Sequence, residues 1–131
     1  MFKSTNKIRE AALHFVEHAV YTFELPGTKT YFDFWDEERR RCIEGYTVGG
    51  LTITGFHYFY LNYCPIDRAV DEVQKDGSVM SKRDRTFPAF YDGDHKYFHE
   101  IDKARKDNKH MIVLKARRKG YSYKAGSMLV R

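Results

Sequence analysis

At 131 residues the chain has room for one domain with a modest core. With 42% hydrophobic residues and 10 Tyr, 10 Phe and 1 Trp it is a folding sequence and not a disordered one, and it carries neither an apolar run of the roughly 20 residues that span a bilayer nor the apolar core of a secretory signal. The net charge of +5 is concentrated at one end: residues 96–131 hold eleven Lys/Arg against three Asp/Glu, whereas residues 1–95 hold twelve against fifteen, which points to a polyanion partner or to a solvated face whose acidic complement lies elsewhere.

In chain order, Ile8, Ala12, Phe15 and Ala19, flanked by Leu13, Val16 and Val20, repeat at helical spacing and predict one amphipathic helix from Thr5 to Thr22. Pro26-Gly27 then makes a turn. A second helix is predicted from Tyr31 to Glu44, with acids Asp36-Glu37-Glu38 ahead of bases Arg39-Arg40-Arg41 as the helix dipole prefers, closed by Gly45 in a left-handed conformation. Gly49-Gly50 breaks the chain before a short β-favouring Leu51-Thr52-Ile53. Phe56, Tyr58, Phe59, Tyr60 and Tyr63 form a dense aromatic block, which can stack on bases but more commonly supplies packing. Ile66–Val73 and Val79–Phe87 flank Lys75-Asp76-Gly77, a hairpin signal. Beyond Pro88, Asp92–Lys106 reads as a helix with Tyr97, Phe98, Ile101 and Ala104 inward and Asp92 as N-cap. Met111–Leu114 is wholly apolar, as a strand of a parallel sheet would be.

Several residue groups invite a chemical reading that their context does not support. His14-Phe15-Val16-Glu17-His18 fits H-x-x-E-H, the inverted zinc-protease motif, but a zinc site needs a third protein ligand and an open position, so the polar face of a helix is the better reading. The same holds for His95 and His99, four residues apart. Asp92, Asp94, Glu100 and Asp102 suit the first turns of a helix without any acid–base role. Cys42 and Cys64 are isolated, as free thiols in a reducing compartment are.

The most informative segment is Lys115-Ala116-Arg117-Arg118-Lys119-Gly120-Tyr121-Ser122, directly after the apolar run. A buried strand, a turn ending in glycine and a hydroxyl residue opening a helix is the layout of a phosphate-binding loop, in which helix N-terminal amides hold phosphate oxygens. Against the common G-x-x-x-x-G-K-[ST], Tyr121 stands at the lysine position and Lys115 at the first glycine. A long cation at the loop entrance can nevertheless reach the same oxygens.

This K-x-x-R-x-G-Y-S order, carried by Lys115, Arg118, Gly120, Tyr121 and Ser122, resembles the deviant Walker A loop of lambda-type terminase large subunits, the ATPases that drive DNA into tailed-phage capsids. Phe32-Asp33-Phe34-Trp35-Asp36 and the stretch from Thr54 to Ile66 resemble the leader ahead of the ATPase core in phage terminases. The resemblance implies an α+β leader over residues 1–87, with helices and a β-hairpin, followed over 88–131 by the first strand–loop–helix of a P-loop α/β ATPase core whose sheet is incomplete, the strand at Met111–Ala116. It implies that Lys115, Ala116, Lys119, Gly120, Tyr121 and Ser122 bind ATP, that Ser122 ligates Mg²⁺, that Arg117 or Arg118 stabilises transition-state charge, and that Tyr91 or Tyr97 stacks on the adenine. It further implies double-stranded DNA, a small terminase subunit and the portal of the procapsid as partners, an oligomer in the full-length protein, the host cytoplasm as location and no membrane. The acidic Mg²⁺ residue, catalytic glutamate and nuclease carboxylates of such motors are expected beyond Arg131, so this chain alone is expected to be inactive. Two other readings fit parts of the chain: a helicase-like P-loop ATPase, and a non-enzymatic basic domain that binds nucleic acid.

Overall fold

The structure, a computed structural model, describes residues 2–116 and 120–131. Helices α1 (Phe2–Ile8) and α2 (Glu10–His18) occupy the stretch predicted as one helix. The break has an identifiable cause. Asn62, fully buried, donates through Nδ2 to the Ile8 carbonyl at 2.9 Å and accepts through Oδ1 from the Ala12 amide at 3.1 Å. Those two groups are the partners of one helical i→i+4 bond, so a side chain from elsewhere in the chain has inserted into the ladder and split the helix.

Helix α3 (Lys29–Glu44) is capped by Thr28, whose hydroxyl accepts from the Tyr31 amide at 3.3 Å. Gly45 ends it with positive φ (96°) but extended ψ (179°), not the left-handed geometry expected. A Cβ at Gly45 would also run into the Ile53 carbonyl, so two independent constraints demand glycine there. Strands β1 (Tyr46–Val48) and β2 (Leu51–Ile53) form a hairpin across Gly49-Gly50, both at positive φ as a tight turn between such strands requires. The sequence reading had found β2 and the break but not β1.

The aromatic block is helix α4 (Gly55–Tyr63), and it is the centre of the molecule. Tyr58, Tyr60 and Leu61 join Ile8, Ile53 and Phe98 in the core cluster, so packing is the role these rings take. A Cβ on Gly55 would strike the backbone carbonyls of Cys42 and Ile43, so α4 starts in direct backbone contact with the end of α3. Strands β3 (Ile66–Val73) and β4 (Val79–Thr86) form the predicted hairpin, closed at Asp76-Gly77 by a Gln74 N–H to Ser78 O bond of 2.8 Å. Helix α5 (Asp92–Lys106) follows, with Tyr91 as N-cap and Asp92 inside the first turn, correcting the predicted cap. Helix α6 (Tyr121–Val130) ends the chain.

The strand expected at Met111–Ala116 is not formed among the described residues. The segment is extended without a ladder partner, and Ile112 and Leu114 are 88% and 93% exposed. Apolar composition encodes the capacity to pair, but a strand exists only where another backbone edge meets it. No helix among the described residues is long and apolar enough to cross a membrane.

His57 lies in the middle of this core. Its ring is fully buried, stacked between Phe98 (4.8 Å) and Phe90 (5.4 Å), and neither ring nitrogen has a hydrogen-bond partner. Desolvation first, then the neighbouring His95 and His99, push its pKa down to about 3. An unfolded histidine takes up its proton near pH 6.5 while the folded one resists until about 3, so the stability this site holds above pH 6.5 is lost as pH falls through that window. Urea titrations at pH 7 and pH 4.5 are expected to differ by on the order of 2–3 kcal/mol from this residue, and His57→Leu to remove that part of the difference. An equal acid sensitivity in His57→Leu would show that the loss originates at other groups.

Candidate functional site

The residues proposed from sequence to contact nucleotide come from two distant segments, the stretch around Tyr91 and the loop starting at Lys115. In the fold both border one open cleft of about 660 Å³. Tyr91, Lys115, Ala116, Gly120 and Tyr121 line it. What brings the segments together is helix α6, packed on α4, whose N-terminal turn faces the start of α5.

Gly120 takes a left-handed conformation (φ 70°, ψ 14°) immediately before α6, open to any residue able to adopt it but most easily to glycine. Having no side chain, Gly120 cannot cap the helix, so the first amides of α6 are left for solvent or an anion. Tyr121 stands in an edge-to-face contact with Tyr97, ring centroids 4.9 Å apart, and Lys115 reaches to 5.9 Å from the Tyr121 ring centre. Burial chiefly, and then Tyr121 and Asp94, raise the pKa of the Tyr97 hydroxyl.

Two residues that sequence reasoning did not assign complete the cleft. Lys124, one turn into α6, is 4% exposed and pairs with Asp94 in the first turn of α5, 7% exposed. The Lys124 ammonium also lies 4.3 Å from the Tyr121 ring centre and 5.7 Å from that of Tyr97, both cation–π contacts. Asp94 had been read as one of four helix-dipole acids, which is true of its position and misses its partner. Nothing local marks the pair, because its members are thirty residues apart and each looks like an ordinary surface charge.

Other sequence-nominated residues fall elsewhere. Ser122, the expected Mg²⁺ ligand, is exposed in the first turn of α6 and is not part of the cleft lining. Arg117, Arg118 and Lys119, proposed as cis arginines and as a further ATP contact, lie outside the described residues. Tyr97 backs Tyr121 and does not border the cleft, which leaves Tyr91, 54% exposed, as the ring positioned to meet a base. No cluster of three metal-ligating side chains occurs among the described residues, and the carboxylate in the cleft, Asp94, is engaged by Lys124. These residues do not by themselves fit a metal ion.

The His14 and His18 rings meet at a tilt with centres 4.6 Å apart, both meet Phe23 edge to face, and His14 Nδ1 bonds the Val20 carbonyl at 2.7 Å. They shape the end of α2, as the polar-face reading expects. Cys42 and Cys64 are free thiols, their pKa values pushed by burial up to about 12 and about 11, so they stay protonated and unreactive near neutral pH.

Chemically, the cleft offers the exposed Lys115, helix-terminal amides and the exposed face of Tyr91, a set suited to a phosphorylated aromatic ligand. No known protein family, curated protein or solved structure matches the chain.

Proposed function

We propose that this chain is the N-terminal part of a viral terminase large subunit, an ATP-driven DNA-packaging motor, and that the cleft between α5 and α6 receives the nucleotide. The observation that carries this reading is that Tyr91, one of the two rings the resemblance offers for the base, borders the same cleft as Lys115, Ala116, Gly120 and Tyr121 of the loop. Lys115 and the first amides of α6 would hold the β- and γ-phosphates, and Tyr91 would stack on the base. Lys124, tied to Asp94, sets the position of α6 and with it the direction of the phosphate-holding amides. Magnesium, if it enters with the nucleotide, would take most of its ligands from phosphate oxygens and water.

The test is binding of a fluorescent ATP analogue to the 131-residue chain. Lys115→Ala is expected to weaken binding by about 1.5–3 kcal/mol, roughly 10- to 150-fold, the worth of a charge-assisted phosphate contact. Tyr121→Lys, which restores the common loop pattern, is expected to recover part of that loss because both side chains approach the same oxygens. Lys119→Ala is expected to weaken binding less than Lys115→Ala, and Lys109→Ala, exposed and off the cleft lining, serves as the control and is expected to stay close to the parent. A crippled Lys119→Ala beside a silent Lys115→Ala would move the phosphate lysine to Lys119.

Turnover is a separate question. With Asp94 held by Lys124, the cleft has no carboxylate left to bind metal or orient water, so the chain is expected to bind nucleotide without hydrolysing it. ATPase activity above background that disappears in Ser122→Ala would overturn this.

A further inference from the structure

The β3–β4 hairpin stands away from the body of the protein. Every residue of β3 after Ile66 and every residue of β4 before Thr86 is exposed. Two-stranded ribbons are marginal in water, and this one also presents Val70, Val73, Val79 and Met80 to solvent, at 43% to 70% exposure. Its outer edges carry backbone N–H and C=O groups that no strand among the described residues covers, a template for another chain.

Natural edges are commonly blunted with charge. Here the charges are sorted by edge. Strand β3 carries Asp67, Asp71 and Glu72 against Arg68; strand β4 carries Lys82, Arg83 and Arg85 against Asp84. One edge is acidic and the other basic. Pairing β3 with β3, or β4 with β4, between two molecules would bring together strands of the same net charge, which is unfavourable wherever like charges face each other. Pairing β4 with β3 opposes unlike ones. The complementarity is already realised inside one molecule, where Asp67 faces Arg85 with an ion pair at 3.4 Å, Arg68 faces Asp84, and Val73 faces Val79.

We infer that the hairpin is a self-association element: β4 of one copy pairs antiparallel with β3 of the next, continuing the ribbon as a sheet across molecules. In the intramolecular register the same charge pairs and the same valine contact recur at each junction. An acidic edge meeting a basic one is a heterologous interface, so it builds a ring where the rotation closes and an open chain where it does not. The inference stands apart from the nucleotide cleft, since no residue of β3 beyond Ile66 and none of β4 borders it.

Sedimentation velocity over a concentration series tests this. One variant makes both edges acidic (Lys82→Glu, Arg83→Glu, Arg85→Glu) and the other makes both basic (Asp67→Lys, Asp71→Lys, Glu72→Lys). The parent chain is expected to sediment as assemblies that grow with concentration and weaken with added salt. Each triple variant alone is expected to associate about tenfold or more weakly, because positions 67 and 85 then carry like charges face to face and both edges carry the same net charge. Mixed in equal amounts, the two variants are expected to reassemble, because acidic edges again find basic ones. All substituted positions are exposed, and circular dichroism verifies that both variants keep the fold. A parent that stays monomeric throughout overturns the inference. So does assembly that survives in either variant alone, which would place the contact elsewhere, for example at the exposed Ile112 and Leu114, or a mixture that stays dissociated.

Discussion

Lys124→Ala is expected to lower the unfolding free energy by about 3–5 kcal/mol, the cost of leaving one member of a buried ion pair without its partner. Asp94 would be stranded at 7% exposure between α5 and α6, and the cation–π contacts to Tyr121 and Tyr97 would go with the ammonium. The measurement is a denaturant titration with its companion Asp94→Asn/Lys124→Met, which removes both charges and keeps most of the volume. That double variant is expected to lie within about 1–2 kcal/mol of the parent, because neutral well-packed replacements of buried pairs are often close to neutral. The loss is expected to reach the cleft as well. Analogue binding should weaken in Lys124→Ala even where the protein remains folded, since the first turn of α6 loses its anchor to α5. A Lys124→Ala protein as stable as the parent would mean that Asp94 is solvated in solution and that the pair does not hold the two helices together.

Glu38→Ala is expected to be comparably damaging, at about 3–5 kcal/mol. The Glu38 carboxylate is 5% exposed and accepts from Tyr58 Oη at 2.8 Å, Tyr63 Oη at 2.6 Å and Arg41 Nη1 at 3.2 Å. It therefore ties α3 to the central helix α4 at two points, Tyr58 near its middle and Tyr63 at its end. Truncation leaves the buried Tyr58 hydroxyl and the half-buried Tyr63 hydroxyl without this acceptor, although Arg41 keeps Glu37 at 3.0 Å and its place 4.1 Å from the Tyr46 ring centre. Glu38→Gln retains an acceptor oxygen and is expected to cost only about 1–2 kcal/mol. Burial first, and next the proximity and hydrogen bonding of Glu38, raise both tyrosine hydroxyls above their ordinary pKa. Unfolded tyrosines ionise near pH 10 and these resist, so the stability they contribute is present below pH 10 and is lost as pH rises beyond it. If Glu38→Ala and Glu38→Gln lost the same amount, the charge and not the hydrogen-bond acceptor would be what α4 requires.

The sequence by itself determined the local elements whose signals are complete within a few residues. Asp76-Gly77 between two β-favouring runs specified the outer hairpin, and its register follows from the turn. Acids Asp36-Glu37-Glu38 ahead of Arg39-Arg40-Arg41, with Gly45 behind, marked α3 from Tyr31 to Glu44, two residues short of its start at Lys29, and Asp92–Lys106 was readable to the residue as a helix, though its cap was not. Only the tertiary structure decided the rest, because each remaining feature depends on a partner far along the chain. The helix predicted over Thr5–Thr22 divides where Asn62, fifty residues away, displaces one backbone bond, and no periodicity in residues 5–22 could announce that. Met111–Leu114 has a strand's composition and lacks a strand's partner. Asp94 reads as an acid of a helix's first turn and Lys124 carries no signal of its own until α6 lies against α5 and buries both, which makes them the ion pair that joins the two helices at the cleft.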